Sequence, residues 1–389
     1  MPDDREFDIV LFGATGFTGE LAAAYLAEHA PTGCRWALAG RNTAKLGAVR
    51  AKLAGTQPAL ADLALLSADV TDRQSLTRIA ESARVVITTV GPYLLYGEPL
   101  VAACAEAGTD YVDLTGEPEF VDRMYLEHHD TAVRTGARLV HSCGFDSIPH
   151  DLGAMFTVQQ LPDDVPITLR GVVRSAGQFS GGTFHSAMTA FSRGGQMKAA
   201  MTARRKMEPR PTGRRSRAVA GRPGRDSELG LYLLPLPTID PLVVARSGAA
   251  LVSYGPDFRY SHYAGLKTLR YTVGGALGAT GMVLAAQVPP ARKFLMGKVK
   301  AGGGPSEARR AKSWFSVDFI GQAGEREVHT RVAGGDPGYT ETAKMLAESA
   351  LCLAYDDNPS TAGQVTTAVA MGEQLLARLR AAGLTFEVC

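Results

Sequence analysis

The stretch Phe7-Asp8-Ile9-Val10-Leu11-Phe12-Gly13-Ala14-Thr15-Gly16-Phe17-Thr18-Gly19 decides the fold. A short apolar run stops at a glycine, and a helical pattern follows from Phe17 to Ala30. Such a run reads as a buried strand, and the glycine-rich turn opens a helix. A helix N-terminus presents unpaired backbone N–H groups, which suit a phosphate. Gly13 permits the tight turn, Gly16 lets the backbone approach a pyrophosphate, and Gly19 lets the helix lie close to the sheet. Thr15 and Phe17 complete the candidate phosphate-binding set. The spacing is GxxGxxG, not the commoner GxGxxG. The same glycines can also serve a structural turn that holds no ligand.

Outward from this turn, strands and helices alternate. Strands are expected at Arg35 to Ala39, Ala64 to Ser67, Val85 to Val90, Tyr111 to Leu114 and Arg138 to His141. Helices are expected from about Thr43 to Leu53, Asp72 to Glu81, Pro99 to Ala107 and Glu119 to Arg134. The run Val85-Val86-Ile87-Thr88-Thr89-Val90 has the β-branched content of a buried parallel strand. The fold class is therefore α/β, an N-terminal Rossmann-type doubly wound parallel sheet. After about Asp151 the alternation stops, and a second α+β domain with a mixed or antiparallel sheet is expected. The expected division is 1–150, 151–335 with a basic loop near 203–226, and 336–389 as helices packing back on the first domain.

The second strand ends in Ala39-Gly40-Arg41-Asn42, without the carboxylate that binds a ribose 2′-hydroxyl in NAD sites. Arg41 can pair with a 2′-phosphate and lay its guanidinium on adenine, so NADP(H) is the expected cofactor. Asp69 follows the third strand, as an adenine-edge contact or as a helix cap. Thr89, Gly91 and Pro92 end the fourth strand, where the backbone can run past the nicotinamide ribose. Tyr93 stands next, either near the hydride donor or as a packing tyrosine. In Cys143-Gly144-Phe145-Asp146-Ser147-Ile148-Pro149, Asp146 and Ser147 have the look of helix caps, and Cys143 that of a small buried hydrophobe. The catalytic candidates are Tyr93 and Ser147, with His150 and Thr183 behind them.

The segments GATGFTG, AGRN, TTVGPY, YVDLTGE and CGFDSIPHD together resemble the saccharopine dehydrogenase-like oxidoreductases, most of all the trans-acting enoyl reductases of polyketide lipid synthesis. Ser180-Gly181-Gly182-Thr183, Gly338 to Ala343, Ala370-Met371-Gly372 and Leu384 to Val388 extend the resemblance to nearly the whole chain, least securely from about Arg204 to Gly304. It implies an NADPH-dependent reductase of an α,β-unsaturated acyl thioester, presented by an acyl carrier protein or coenzyme A, and a homodimer. Two other readings stay open. One is a saccharopine-reductase-like amino-acid dehydrogenase, for which Arg170 and Arg174 are the candidate cleft arginines. The other is a non-catalytic NADP-binding, lipid-associated protein.

Composition narrows the partners. The 389 residues carry 41 Lys+Arg against 39 Asp+Glu, and no global field points to nucleic acid. Five scattered cysteines have no metal-ligand spacing and fit reduced thiols; with an acidic N-terminus lacking a signal pattern, they make a cytoplasmic location the expectation. No metal is expected. The basic run from Arg204 to Arg225, broken by proline and glycine, reads as a mobile solvated loop or as a docking surface for an acidic carrier domain. Tyr271 to Pro289 approaches membrane-spanning length but is interrupted by four glycines. With the cations after it, residues 271–300 form a candidate peripheral membrane contact or a lid over a long acyl chain.

Overall fold

The computed structural model describes residues 5–177, 181–298 and 303–389. In the first part, β1 (Phe7–Phe12), β2 (Trp36–Gly40), β3 (Ala64–Ser67), β4 (Ala83–Thr88), β5 (Asp110–Val112) and β6 (Arg138–Val140) are strands. Between and after them lie helices α1 (Phe17–His29), α2 (Thr43–Thr56), α3 (Arg73–Ser82), α4 (Tyr93–Tyr96), α5 (Glu98–Ala107), α6 (Pro118–Thr135) and α7 (Ile148–Val158). The middle part contains β7 (Ile167–Ala176), α8 (Gly181–Ser192), α9 (Gly194–Met207), β8 (Arg215–Ala218), β9 (Gly224–Asp226), β10 (Leu231–Pro235), α10 (Asp240–Ala250) and β11 (Asp257–Leu266). Next come α11 (Leu269–Gln287), α12 (Pro289–Lys298), α13 (Glu307–Arg310), β12 (Trp314–Ala323) and β13 (Arg326–Gly334). The chain closes with α14 (Thr340–Tyr355), β14 (Gly363–Val365), α15 (Thr367–Ala370), α16 (Gly372–Ala381) and β15 (Thr385–Val388).

The first sheet is parallel, with order β14-β6-β5-β4-β1-β2-β3. Successive side chains of a strand face opposite ways, and here both faces are covered. Ile9 and Leu11 of β1 pack in one core with Leu26 of α1 and Leu346 and Leu351 of α14. Val10 and Phe12 pack in the other, with Leu76 of α3, Val101 of α5 and Phe120 of α6. The order reverses between β1 and β4, so a crevice opens at the carboxyl ends of these strands.

The second sheet is mixed, with order β15-β13-β12-β7-β11-β10-β9 and β8 beside β11. β7 is parallel to β11 and antiparallel to β12. Helix α7 joins the two sheets into one core through Leu152 and Met155, beside Phe319 and Val332 of the second sheet. Its Gly153 is needed for that approach, because a Cβ there would sit 2.4 Å from the Phe319 ring.

Two expectations are corrected. The basic segment 203–226 is no mobile loop. It contains the end of α9 and the strands β8 and β9, and several of its arginines are consumed internally. Arg204 is buried over the Tyr125 ring at 4.1 Å and donates to Gln364 Oε1 and Glu208. Arg214 caps the carbonyls of Gly248, Leu251 and Gly255, and Arg217 pairs with Asp257. Composition alone could not show that acceptors wait for these guanidinium groups. Residues 336–389, expected as helices alone, include strand β14, which precedes α15 and α16 because Gly363 at φ +88° turns the chain onto the edge of β6, and strand β15. No described helix is long and apolar enough to cross a membrane; α11 is one exposed helix of 19 residues.

Candidate active site

The glycine turn lies at the carboxyl end of β1. Gly13 has φ +91°, and a Cβ there would meet Thr89 Oγ1 at 2.7 Å and Val90 Cγ2 at 2.8 Å. A Cβ on Gly19 would come within 2.3 Å of the Gly13 carbonyl oxygen. Gly16, by contrast, is exposed and open, and no side chain caps the α1 N-terminus. Two glycines thus hold the turn tight, and the third leaves room where a pyrophosphate approaches. Thr89 fastens the turn by donating its Oγ1 hydrogen to the Gly13 carbonyl at 3.1 Å. Thr15 and Phe17 are half-buried beside it.

Arg41 is exposed at the end of β2, because Asn42 takes the N-cap of α2 and accepts from Lys45 N. Asp69 accepts from the Thr71 hydroxyl and amide, and these bonds with the nearby Arg41 charge hold its carboxyl below the usual range. Asp69 therefore does close the turn before α3, while α3 itself is capped by Asp72. Gly91 and Pro92 follow β4 and lead into α4.

Tyr93 is buried, and its hydroxyl has two fixed backbone contacts. It donates to the Thr88 carbonyl and accepts from the Leu114 amide, both at 3.1 Å. Burial pushes this phenol well up. Glu117 accepts from the Tyr93 and Leu94 amides and from Ser186 Oγ, which ties the loop after β5 to α4 and α8. Ser147 is 1% exposed, and its hydroxyl has no hydrogen-bond partner among the described residues. It occupies the N-cap position of α7 without making a side-chain cap. Cys143 is fully buried, and burial raises its thiol. Thr183's side chain and all of Ser180 lie outside the described residues.

Sequence reasoning missed two groups. One is the segment before β12. Arg310 lies over the Phe17 ring at 5.4 Å and donates to Thr340 Oγ1, while Tyr339 meets the same ring edge-on at 4.8 Å. A cation and an aromatic from the distant end of the chain thus flank the glycine turn, and no local motif signals it. The other is a buried polar cluster in which Asp240 of α10 and His262 of β11 join the candidate His150 of α7. Arg170, in contrast, is paired with Asp226 at 2.8 Å, and Arg174 stacks on Trp314 at 5.5 Å.

The open helix N-terminus, the turn with no room for a Cβ at Gly13 or Gly19 and the exposed Arg41 fit a 2′-phosphorylated dinucleotide. Fold and site define an NADP(H)-dependent oxidoreductase. Residues 9–140 match the saccharopine dehydrogenase NADP binding domain. Trans-acting enoyl reductases of Mycobacterium tuberculosis and Mycobacterium leprae are each 37% identical to this chain over 98% of it and 98% of their own length. Another M. tuberculosis protein, which carries the same name as a provisional designation, is 39% identical over 98% of this chain and 97% of its own. The chain belongs to the saccharopine dehydrogenase-like family of trans-acting enoyl reductases. The fold is that of the L-Glu-forming saccharopine dehydrogenase of Saccharomyces cerevisiae, with TM-score 0.57 and 11% identity, covering 98% of this chain and 100% of that one.

Proposed function

We propose that the protein reduces the carbon–carbon double bond of an α,β-unsaturated acyl thioester in lipid or polyketide synthesis. The observation that carries this reading is a tight glycine turn at an uncapped helix N-terminus in a chain aligned over 98% of its length with enoyl reductases. NADPH, when bound, supplies a hydride to the β-carbon. The glycine turn, with Thr15, Phe17 and Arg310, holds the pyrophosphate; Arg41 pairs with the adenosine 2′-phosphate, and Asp69 lies toward the adenine edge. Thr89, Gly91 and Pro92 shape the floor beneath the nicotinamide ribose. Tyr93, with both hydroxyl contacts spent on backbone, keeps the β4 and β5 loops in register. Ser147 is left as a buried hydroxyl behind the crevice.

The same chemistry argues against an amino-acid substrate. A substrate with several carboxylates needs unpaired arginines, and the candidate Arg170 already has Asp226. An apolar acyl chain fits the helices above the second sheet better. Along α11 and α12, Leu277 is 69% and Leu284 63% exposed, with Tyr271, Val288 and Phe294 also open. No acidic residue occurs from 258 to 306, while Arg270, Arg292, Lys293 and Lys298 lie on these helices. Apolar faces framed by cations suit an anionic lipid surface, where a long-chain substrate resides. The carrier protein meets the remaining exposed cations near Arg205, Lys206 and Arg210.

The test is titration of the purified protein with NADPH and NADH, then an oxidation assay with enoyl thioesters of coenzyme A and of a carrier protein. Tight NADPH binding, with oxidation only when the acyl substrate is added, is expected. Binding without oxidation by any enoyl thioester would leave a nucleotide-binding protein without this activity.

A further inference from the structure

Asp240, the first residue of α10, stands between two imidazoles in a buried row. Its Oδ1 is 3.2 Å from Nδ1 of His150, in the first turn of α7. Its Oδ2 is 3.6 Å from Nε2 of His262, on β11. The two rings meet edge-on at 4.9 Å. All three residues are only 1–4% exposed. Yet both His150 nitrogens and Asp240 Oδ1 have no hydrogen-bond partner among the described residues. The 3.2 Å contact is thus close enough for a hydrogen bond and lacks its alignment. A short contact of that kind fits two ligand atoms directed at a shared point.

The next residue of α7 shows that this lack is local. Asp151 is equally buried, and it accepts from Thr367 Oγ1 at 2.7 Å, from the Ala368 amide at 2.9 Å and from the Ser247 hydroxyl. Successive residues of one helix therefore differ: a carboxylate with three donors and a histidine with no bond to its ring. Buried polar groups are as a rule hydrogen-bonded, and an exception calls for a cause such as a bound ion.

At the other end of the row the support is already built. His262 Nδ1 is 2.9 Å from the hydroxyl of the fully buried Tyr260. Gly171 of β7, opposite His262 in the ladder, makes room for that hydroxyl, since a Cβ there would stand 2.2 Å from it. When Nδ1 donates its hydrogen to Tyr260, Nε2 presents its lone pair toward Asp240. A hydrogen bond at the far nitrogen is how a metal-binding imidazole is held in tautomer and orientation. Phe145 lies edge-on against His150 at 5.4 Å and covers the remaining side. One ligand atom from each of the three residues lies within 4.8 Å of the others. A zinc ion bound tetrahedrally by nitrogen and oxygen sets its ligands about 3.3–3.5 Å apart. The observed 3.2 and 3.6 Å need only small side-chain rotations to meet that spacing.

We infer that His150, Asp240 and His262 bind one divalent transition-metal ion of the zinc class, which clamps α7 to α10 and β11. Two imidazoles and one carboxylate suit zinc, whereas calcium and magnesium take mainly oxygen ligands and copper(I) takes sulfur. Three protein ligands leave one tetrahedral position, which water fills. The ion is a structural tie: α7 is the helix that joins the two sheets into one core, and its first turn carries His150. No step of the reduction uses the ion, and the site stands whatever the acyl substrate is. The scattered cysteines, which lack metal-ligand spacing, take no part in it.

The test uses the full chain, stripped with a chelator and titrated with zinc and with cobalt(II). One ion per chain should be retained through dialysis, and zinc should raise the thermal midpoint by several degrees. The cobalt form should show the visible absorption of a four-coordinate site, and X-ray absorption should count two imidazoles around the metal. Asp240→Asn and His262→Gln, with fold checked by circular dichroism, should lose the retained ion. Tyr260→Phe should weaken it by about 10- to 100-fold. A wild-type chain that retains neither ion, or a metal shell without imidazole, overturns the site. Retention unchanged in folded Asp240→Asn and His262→Gln also overturns it. So does retention lost in His128→Ala, which would place the ion at the more open group of Glu98, Glu127 and His128.

Discussion

Arg41 and Tyr93 show how differently two candidate residues emerge once their neighbours are known. Arg41 has no competing cap to serve, since Asn42 provides it, and stands exposed at the strand end. A hydrogen bond to a charged group contributes about 1.5–3 kcal/mol. Arg41→Ala should therefore weaken NADPH binding by roughly 10- to 100-fold and leave NADH nearly unchanged, as read by fluorescence titration of both nucleotides. Tyr93 is the reverse case. Its hydroxyl bridges Thr88 and Leu114, so Tyr93→Phe leaves a buried amide and carbonyl unpaired. A loss of about 1–3 kcal/mol in urea unfolding is expected, with kcat nearly unchanged. Collapse of turnover at unaltered stability would instead return Tyr93 to the role of acid.

Among the secondary-structure elements, α11 is the odd one. Most long helices of this protein bury one face, whereas α11 has only Thr272 and Ala286 buried among its 19 residues. If its apolar surface meets lipid, replacing Leu277 and Leu284 together by glutamate should abolish flotation with anionic phospholipid vesicles and leave NADPH binding intact. A concentration-dependent dimer lost in the same variant would assign α11 to a second copy. How far such elements could be read in advance depended on local periodicity. β1 to β6 and the glycine turn were legible because a buried parallel sheet prints short apolar runs between amphipathic helices. β8 and β9 were not, since Arg215 to Ala218 and Gly224 to Asp226 carry no apolar alternation and owe their pairing to β11 and β10. The same limit hid the His150–Asp240–His262 row, whose members lie far apart in sequence and share no spacing.

Across the molecule, the two sheets are locked together by a buried charge network. Asp122 of α6 pairs with Arg246 of α10 and with Arg204 of α9, and Arg204 also reaches Gln364 of β14. Burial, with the neighbouring Arg204, lowers Arg246 to about 10. Removing Asp122 takes the paired carboxylate from the buried Arg246, while Arg204 keeps Glu208, a loss of about 3 kcal/mol. Asp122→Asn should accordingly lower the thermal midpoint by several degrees, measured by calorimetry, while NADPH affinity is unchanged.

The last strand of the parallel sheet comes from near the end of the chain. β14 docks on β6, and β15 adds to the second sheet only a little later in sequence. During synthesis the ribosome therefore delivers the glycine turn well before the segment that seals its sheet. The nascent chain must carry an open β6 edge through most of its translation, exposed to pairing with a neighbour's. A chaperone that shields this edge, or early capture of nucleotide, would decide how much of each newly made chain reaches its working form.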